Sequence, residues 1–248
     1  MEVVGVRAGT KSAAALAEAL RRASVLALGA PVAIRIDARA RRLLLRVDAS
    51  MRRIELVLPR GVSAEAGLNF LEAQRGWVDA RLRALPPAMP FTDDAIVPVF
   101  GVPHRIHCCD DPGGPPVMII DGQIRVRGRP EHVGRRVRDY LLRLARSELS
   151  RRARLCALSV GKPIAGVAVR DTKSRWGSCS GQGRISFSWR LVMAPEAVVD
   201  YVVAHEVAHL IEMNHGPRFW GLLRTLVPDD AAPRAWLKRN RNRLFAYG

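Results

Sequence analysis

Two histidines four residues apart bracket a glutamate in the stretch Val202-Val203-Ala204-His205-Glu206-Val207-Ala208-His209, and a third histidine, His215, follows six residues later. No other feature of the chain narrows its chemistry as far. On an α-helix four residues make slightly more than one turn, so His205 and His209 share a face and both imidazoles can bind one ion. Glu206 falls beside them, where its carboxylate can take a proton from metal-bound water without being a ligand. His215 is too far along to share that face, so the chain must leave the helix and turn back. Asn214 and Gly216 both tolerate the left-handed conformation that commonly ends a helix, and Pro217 blocks simple continuation. Three histidine ligands leave a fourth position open for water, the arrangement of a catalytic rather than a structural zinc site.

Histidines also line up by chance on core helices. The flank argues against that here. Val198, Val199, Val202, Val203, Val207, Leu210 and Ile211 mark the helix as buried, where three unpaired imidazoles are costly without a shared partner. A metal ion supplies one. The expected site is a single catalytic Zn2+ on His205, His209 and His215, with Glu206 as general base, although three imidazoles also accept other divalent ions.

At 248 residues the chain can bury a sizeable core. With 48% hydrophobic and 25% charged residues it has a globular composition and lacks the signature of disorder. The net charge of +17 stands out. Attraction to a polyanion such as nucleic acid is one explanation. Compositional drift is the other, since the basic residues other than Lys11, Lys162, Lys173 and Lys238 are all arginine, as a GC-rich coding sequence would make them. Four cysteines, none in a C-x-x-C pair, do not form a disulfide framework in a chain of this length, and a reducing compartment fits them. The apolar run Ala23 to Ala30 is too short to span a bilayer, which points to a soluble cytoplasmic protein without a membrane partner.

Along the chain, residues 1–31 are poorly patterned, with an Ala-rich helix expected over 13–28. The β-prone runs Val32–Ile36, Leu43–Val47 and Ile54–Leu58 suggest a three-stranded meander. Ser63 can cap a following helix, on which Leu68, Leu71, Trp77, Val78 and Leu82 recur up to Leu85. Pro86, Pro87 and Pro90 mark a boundary, dividing 32–90 from 91–248, though 32–245 also reads as one compact unit. Short strands return over 95–126, with a turn at Asp121-Gly122. His104, His107, Cys108 and Cys109 resemble a second metal cluster, but on a strand positions 104 and 107 face opposite ways. An amphipathic helix is expected over 130–158, and strands at 167–169 and 185–189 flank the turn-rich loop 175–183. By analogy with zinc peptidases, 184–190 is the candidate strand for aligning a substrate, the alternative being an ordinary core strand. The last helix, 233–245, carries Arg234, Lys238, Arg239, Arg241 and Arg243 and reads as a solvated face or a basic docking surface.

Three stretches together resemble the YgjP-like family of zinc metallopeptidases, which is related to the SprT and WLM zinc-protease domains. They are Arg175-Trp176-Gly177-Ser178-Cys179-Ser180; Trp189-Arg190-Leu191 with Pro195 and Asp200-Tyr201-Val202-Val203; and His205-Glu206-Val207-Ala208-His209-Leu210 with Asn214-His215 and Phe219-Trp220. Weaker similarity extends over about 32 to 245. Where the family often has Ser after the Asn-His pair, this chain has Gly216.

The resemblance implies an α+β fold, a zincin-like metallopeptidase core with an active-site helix preceded by a small β-rich region. It also implies zinc on His205, His209 and His215, Glu206 as base, and the 175–180 loop as a fixed companion of the site. Cys179 is expected to be structural, since a fourth tight ligand would close the position where water reacts. The reaction expected is hydrolysis of a peptide bond in a protein or peptide substrate, with Glu206 taking a proton from water and returning it to the leaving amine. Tyr201, Arg175 and Arg218 are the nearest candidates by sequence for stabilising the oxyanion, without a spacing that compels any of them. Two rival readings stay open: a nucleic-acid-associated protease acting on DNA-bound proteins, and a non-catalytic module stabilised by zinc.

Overall fold

The computed structural model describes residues 29–48, 52–110, 113–172 and 175–248. The helix expected over 13–28 lies outside these residues. Among them the chain forms a mixed α+β structure of six α-helices and three small sheets. It divides into two compact units at Ala88/Met89. No helix of the described residues is long and apolar enough to cross a membrane.

The first unit contains β1 (Val32–Asp37), β2 (Leu44–Asp48) and β3 (Arg53–Pro59), with β3 in the centre, parallel to β1 and antiparallel to β2. The three strands form, but not as the expected meander. β3 buries Ile54, Leu56, Val57 and Leu58, so pairing on both edges satisfies the backbone of the most deeply buried strand. Helix α1 (Ala64–Ala73) starts where Ser63 Oγ accepts from the amide of Ala66 at 3.1 Å. The helical run then breaks at Gln74, which ends α1 and precedes α2 (Arg75–Arg83). The break shifts the phase, so Val78 is buried while Trp77 stays 45% exposed rather than joining the core.

In the second unit, β4 (Ile96–Val99), β5 (Val102–Cys109), β6 (Val117–Ile120) and β7 (Gln123–Arg127) form a sheet of order β4-β5-β7-β6. Two-residue turns with positive φ at both positions, Phe100-Gly101 and Asp121-Gly122, close its hairpins in the sense that matches strand twist. One face carries Val97, Val99, Ile106, Val117, Ile124 and Val126 into a core shared with α3 (Val133–Ser159). That helix buries Val133, Val137, Leu141, Ala145, Leu149, Ala153 and Ala157, a stripe at four-residue spacing whose alanines permit close approach of neighbouring elements.

The third sheet comprises β8 (Gly166–Arg170), β9 (Gly177–Cys179) and β10 (Arg184–Ser188), in the order β8-β10-β9. β10 is parallel to β8 and antiparallel to β9, so both of its edges are taken. The strand expected to align a substrate is thus a central strand, and β9 is an edge. A 3-10 segment, Trp189–Met193, leads to α4 (Glu196–Ala208), which is apolar and buried almost all round. Arg152 on α3 pins its start, pairing with Asp200 at 2.7 Å and Glu196 at 3.3 Å. Helices α5 (Pro217–Leu226) and α6 (Ala231–Phe245) complete the unit.

The β4–β5 turn abuts the residue from which α4 starts. Gly101 has φ +81°, and a Cβ there would lie 2.9 Å from Pro195 Cα. Gly101→Ala is expected to cost at least about 1–2 kcal/mol from the left-handed backbone alone. Urea unfolding with the midpoint lowered, and the slope unchanged, would bear this out; an unaltered midpoint would contradict it.

Candidate metal centre

Helix α4 delivers His205 and Glu206 in its last turn, and His209 is its C-cap residue. The negative end of the helix dipole therefore faces the cluster, which favours a cation there. The backbone leaves the helix through tight turns, with the amides of Ile211 and Glu212 both bonding to Ala208 O at 3.1 and 3.0 Å. His215 then returns to the cluster just before α5. The turn is not the left-handed one that Asn214 and Gly216 suggested. Neither has positive φ, and Gly216 is extended (φ −84°, ψ −175°) because it is the N-cap of α5, with Pro217 opening that helix.

The ligand atoms of His205, His209 and His215 all lie within 4.8 Å of one another. His205 Nε2 and His215 Nε2 are 3.1 Å apart. His209 Nδ1 lies 3.0 Å from Glu212 O. A proton on that nitrogen donated to the carbonyl leaves Nε2 with its lone pair for a metal, the usual way a ligand imidazole is oriented. Burial first, and then the neighbouring imidazoles, push His205 down to about 4. Burial lowers His209 as well, with Glu212 O opposing. Three imidazoles converging in this way fit a divalent ion, which binds the unprotonated form.

Phe219, four residues after His215, packs beneath all three rings. Its centroid is 4.6 Å from His209, 4.7 Å from His215 and 5.0 Å from His205. Trp220 flanks His205 and His215 at 6.4 and 5.8 Å and donates from Nε1 to His215 O at 3.0 Å. His215 is exposed, so the cluster is open to solvent on that side.

Glu206 is 6% exposed, and burial raises its carboxyl to about 7 against the opposing charge of Arg175. Its companion is Gly177 on β9. A Cβ at that glycine would lie 2.5 Å from Glu206 Oε1 and 2.6 Å from Cγ, so the carboxylate occupies the space that every other residue type would fill. The 175–180 loop thus acts on Glu206 through a missing side chain. The loop is itself held from the C-terminus. Trp176 stacks on Phe245 with centroids 4.8 Å apart. Arg190, 3% exposed, donates to Tyr247 O at 3.2 and 3.0 Å and pairs with Asp171, which Arg138 also binds at 2.8 Å. Burial alone would raise the Asp171 carboxyl, but the two arginines hold it below its usual range.

The other candidates are placed unevenly. Tyr201 is buried, with its ring 6.0 Å from His205. Arg175 is close enough to Glu206 to act on its charge, whereas Arg218 is exposed on the first turn of α5. Arg234, which the sequence showed only as part of a basic helix, stacks 4.9 Å over Trp220 and bears electrostatically on His205 and Tyr201. Burial pushes the Cys179 thiol up, and the Glu206 charge adds to this, which suits a structural thiol rather than a nucleophile. The His104–Cys109 segment forms no metal cluster among the described residues, where the three histidines are the single such group.

A family model described as YgjP-like, metallopeptidase domain, matches residues 41–240. No curated protein and no solved structure matches the chain.

Two substitutions test this geometry. At the extended Gly216 a Cβ meets nothing within 4 Å. Gly216→Ser is therefore expected to leave the site intact and to stabilise by a few tenths of a kcal/mol, roughly, through helix capping; a lowered melting temperature would be inconsistent with that backbone. Gly177→Ala is expected to fold, bind metal as the parent does and lose peptidase activity through displacement of Glu206. Parental activity in that variant would show that the close approach has no role.

Proposed function

The chain belongs to the YgjP-like metallopeptidase family, and we propose that it hydrolyses peptide bonds as a zinc enzyme of the H-E-x-x-H type. One observation carries the reading: three imidazole ligand atoms within 4.8 Å of one another, at the end of the helix that also bears Glu206. His205, His209 and His215 would hold the ion, an all-nitrogen set that suits zinc and leaves a position free. When bound, zinc supplies Lewis acidity, lowering the pKa of water from 15.7 toward about 7 and polarising a carbonyl.

Glu206 is the general base. A carboxyl near 7 can accept a proton from the attacking water and return it to the leaving amine at neutral pH. Its burial limits competing contact with bulk water, and Gly177 lets it stand close under the strand that follows Arg175 and Trp176. β9 pairs with β10 on one side and is the sheet edge on the other. An extended peptide added along that free edge would have its backbone carried past Glu206, with main-chain hydrogen bonds supplying sequence-tolerant affinity. Tyr201 and Arg234 are the groups beside His205 available to stabilise developing negative charge.

The test is cleavage of an unstructured protein such as casein by the parent and by Glu206→Gln, with metal content measured in both. Loss of a general base is expected to slow cleavage by about 10²–10⁴-fold while metal stays bound. Equal cleavage by the two proteins would remove Glu206 from the mechanism.

A further inference from the structure

Arg175 leads into β9 two positions before Gly177, the residue whose missing side chain makes room for Glu206. It is exposed, and its charge acts on the Glu206 carboxyl. Its main chain is fixed. Thr172 Oγ1 donates to Arg175 O at 2.7 Å, the amide of Ser188 donates to Trp176 O at 2.8 Å, and Trp176 stacks on Phe245. An anchored backbone therefore holds a guanidinium beside the site while the side chain itself stays exposed.

The carboxylates of the neighbouring elements are engaged elsewhere. Asp171 pairs with Arg138 and Arg190, Asp230 with Arg234, and Glu196 and Asp200 with Arg152. Arg175 has no salt bridge among the described residues, and Glu206, the carboxylate it acts on, is buried against Gly177. Arg234, the other cation near the cluster, is held by Asp230 at 3.4 Å and by stacking on Trp220. An anionic group arriving at the site therefore meets Arg175 as its available partner.

β9 runs along the end of α4. Gly177 lies against Glu206, and at Gly183, in the turn after the strand, a Cβ would be 3.6 Å from Leu210 Cδ2. Beyond Leu210 the character changes, with Ile211 and Met213 exposed on either side of Glu212. The two ends of the free edge thus differ, and a carboxylate is favoured only at the Arg175 end. A peptide laid along that edge, with its scissile bond at Glu206, passes Arg175 within two residues of the bond, about 7 Å at strand spacing. We propose that Arg175 selects peptides carrying a carboxylate within two residues of the scissile bond, on the side that passes the start of β9. The carboxylate is an aspartate or glutamate side chain or the C-terminus of the peptide, and a guanidinium can take either through two parallel hydrogen bonds. The ligand class rests on the peptidase reading, and the specificity rests on Arg175.

The experiment is fluorescence anisotropy of short fluorescein-labelled peptides with the zinc-loaded full chain bearing Glu206→Gln, so that bound peptide is not consumed. One peptide has central glutamates and an amidated C-terminus, a second has glutamines in their place, and a third is the glutamine peptide with a free C-terminus. At least one carboxylate peptide is expected to bind about three- to tenfold tighter than the amidated glutamine peptide. Preference for the first identifies a side chain as the source, and preference for the third identifies the chain end. Added Arg175→Gln is expected to abolish the preference, whereas added Arg146→Gln, an equal change of charge on the exposed face of α3, should keep it. Arg175→Lys should retain part of it, and Arg175→Glu should favour a peptide with central lysines, which a purely structural role would not produce. The proposal is overturned if neither carboxylate peptide binds tighter, or if Arg146→Gln removes the preference as fully as Arg175→Gln. Failure of the parent to cleave casein, with the binding preference intact, would strike the hydrolytic reading alone.

Discussion

Three imidazoles packed against one another and against Phe219, at the C-terminal end of a helix buried almost all round, form the constraint on which the second unit depends. Burial first, and then the two neighbouring imidazoles, hold His205 near 4. The arrangement fits one divalent cation shared by the three rings. It also fits the burial of α4 almost all round and the pairing of Arg152 with Glu196 and Asp200, which secures its N-terminal half. A helix free to shift by a fraction of its pitch would not keep His205 and His209 in register with a third histidine brought back through a turn.

Glu206 is governed by a different part of the chain. Gly177 provides its space, β10 fixes the strand on which Gly177 lies, and the C-terminal segment holds the loop through Trp176, Phe245, Arg190 and the carbonyl of Tyr247. Helix, edge strand and C-terminus therefore converge on one carboxylate. Its raised pKa follows from that enclosure and not from a like-charged neighbour, since burial is the leading cause and Arg175 acts against it.

Much of the site was legible in the sequence because its chemistry is carried by local spacing. The four-residue interval between His205 and His209 and the terminator before His215 are enough to suggest one ligand cluster, and the ligand atoms do lie together. The β-branched runs likewise located the strands. What escaped was non-local. The order β1-β3-β2 depends on which strand is buried deepest, and β10 became central because β8 and β9 came to its two sides. Gly177 looked like one more glycine in a turn-rich loop, since its role is the absence of a Cβ against Glu206, a residue of another element. Arg234 reaches the cluster from a separate helix by stacking on Trp220. Phe219 stood in the sequence only as part of the family resemblance, and its place beneath the three rings follows from the start of α5 just after His215. The expected left-handed turn failed because Gly216 and Pro217 serve the start of α5 instead of the end of α4.

The central claim is that three histidine nitrogens, and no sulfur, hold one catalytic zinc. Zinc content together with zinc-edge X-ray absorption of the purified protein tests it most directly. The account predicts one zinc per chain with a shell of nitrogen and oxygen only, including imidazole nitrogens at about 2.0–2.1 Å. Scattering from a sulfur ligand at about 2.3 Å, which would bring Cys179 into the shell, would contradict it, as would the lack of stoichiometric metal in protein supplied with zinc.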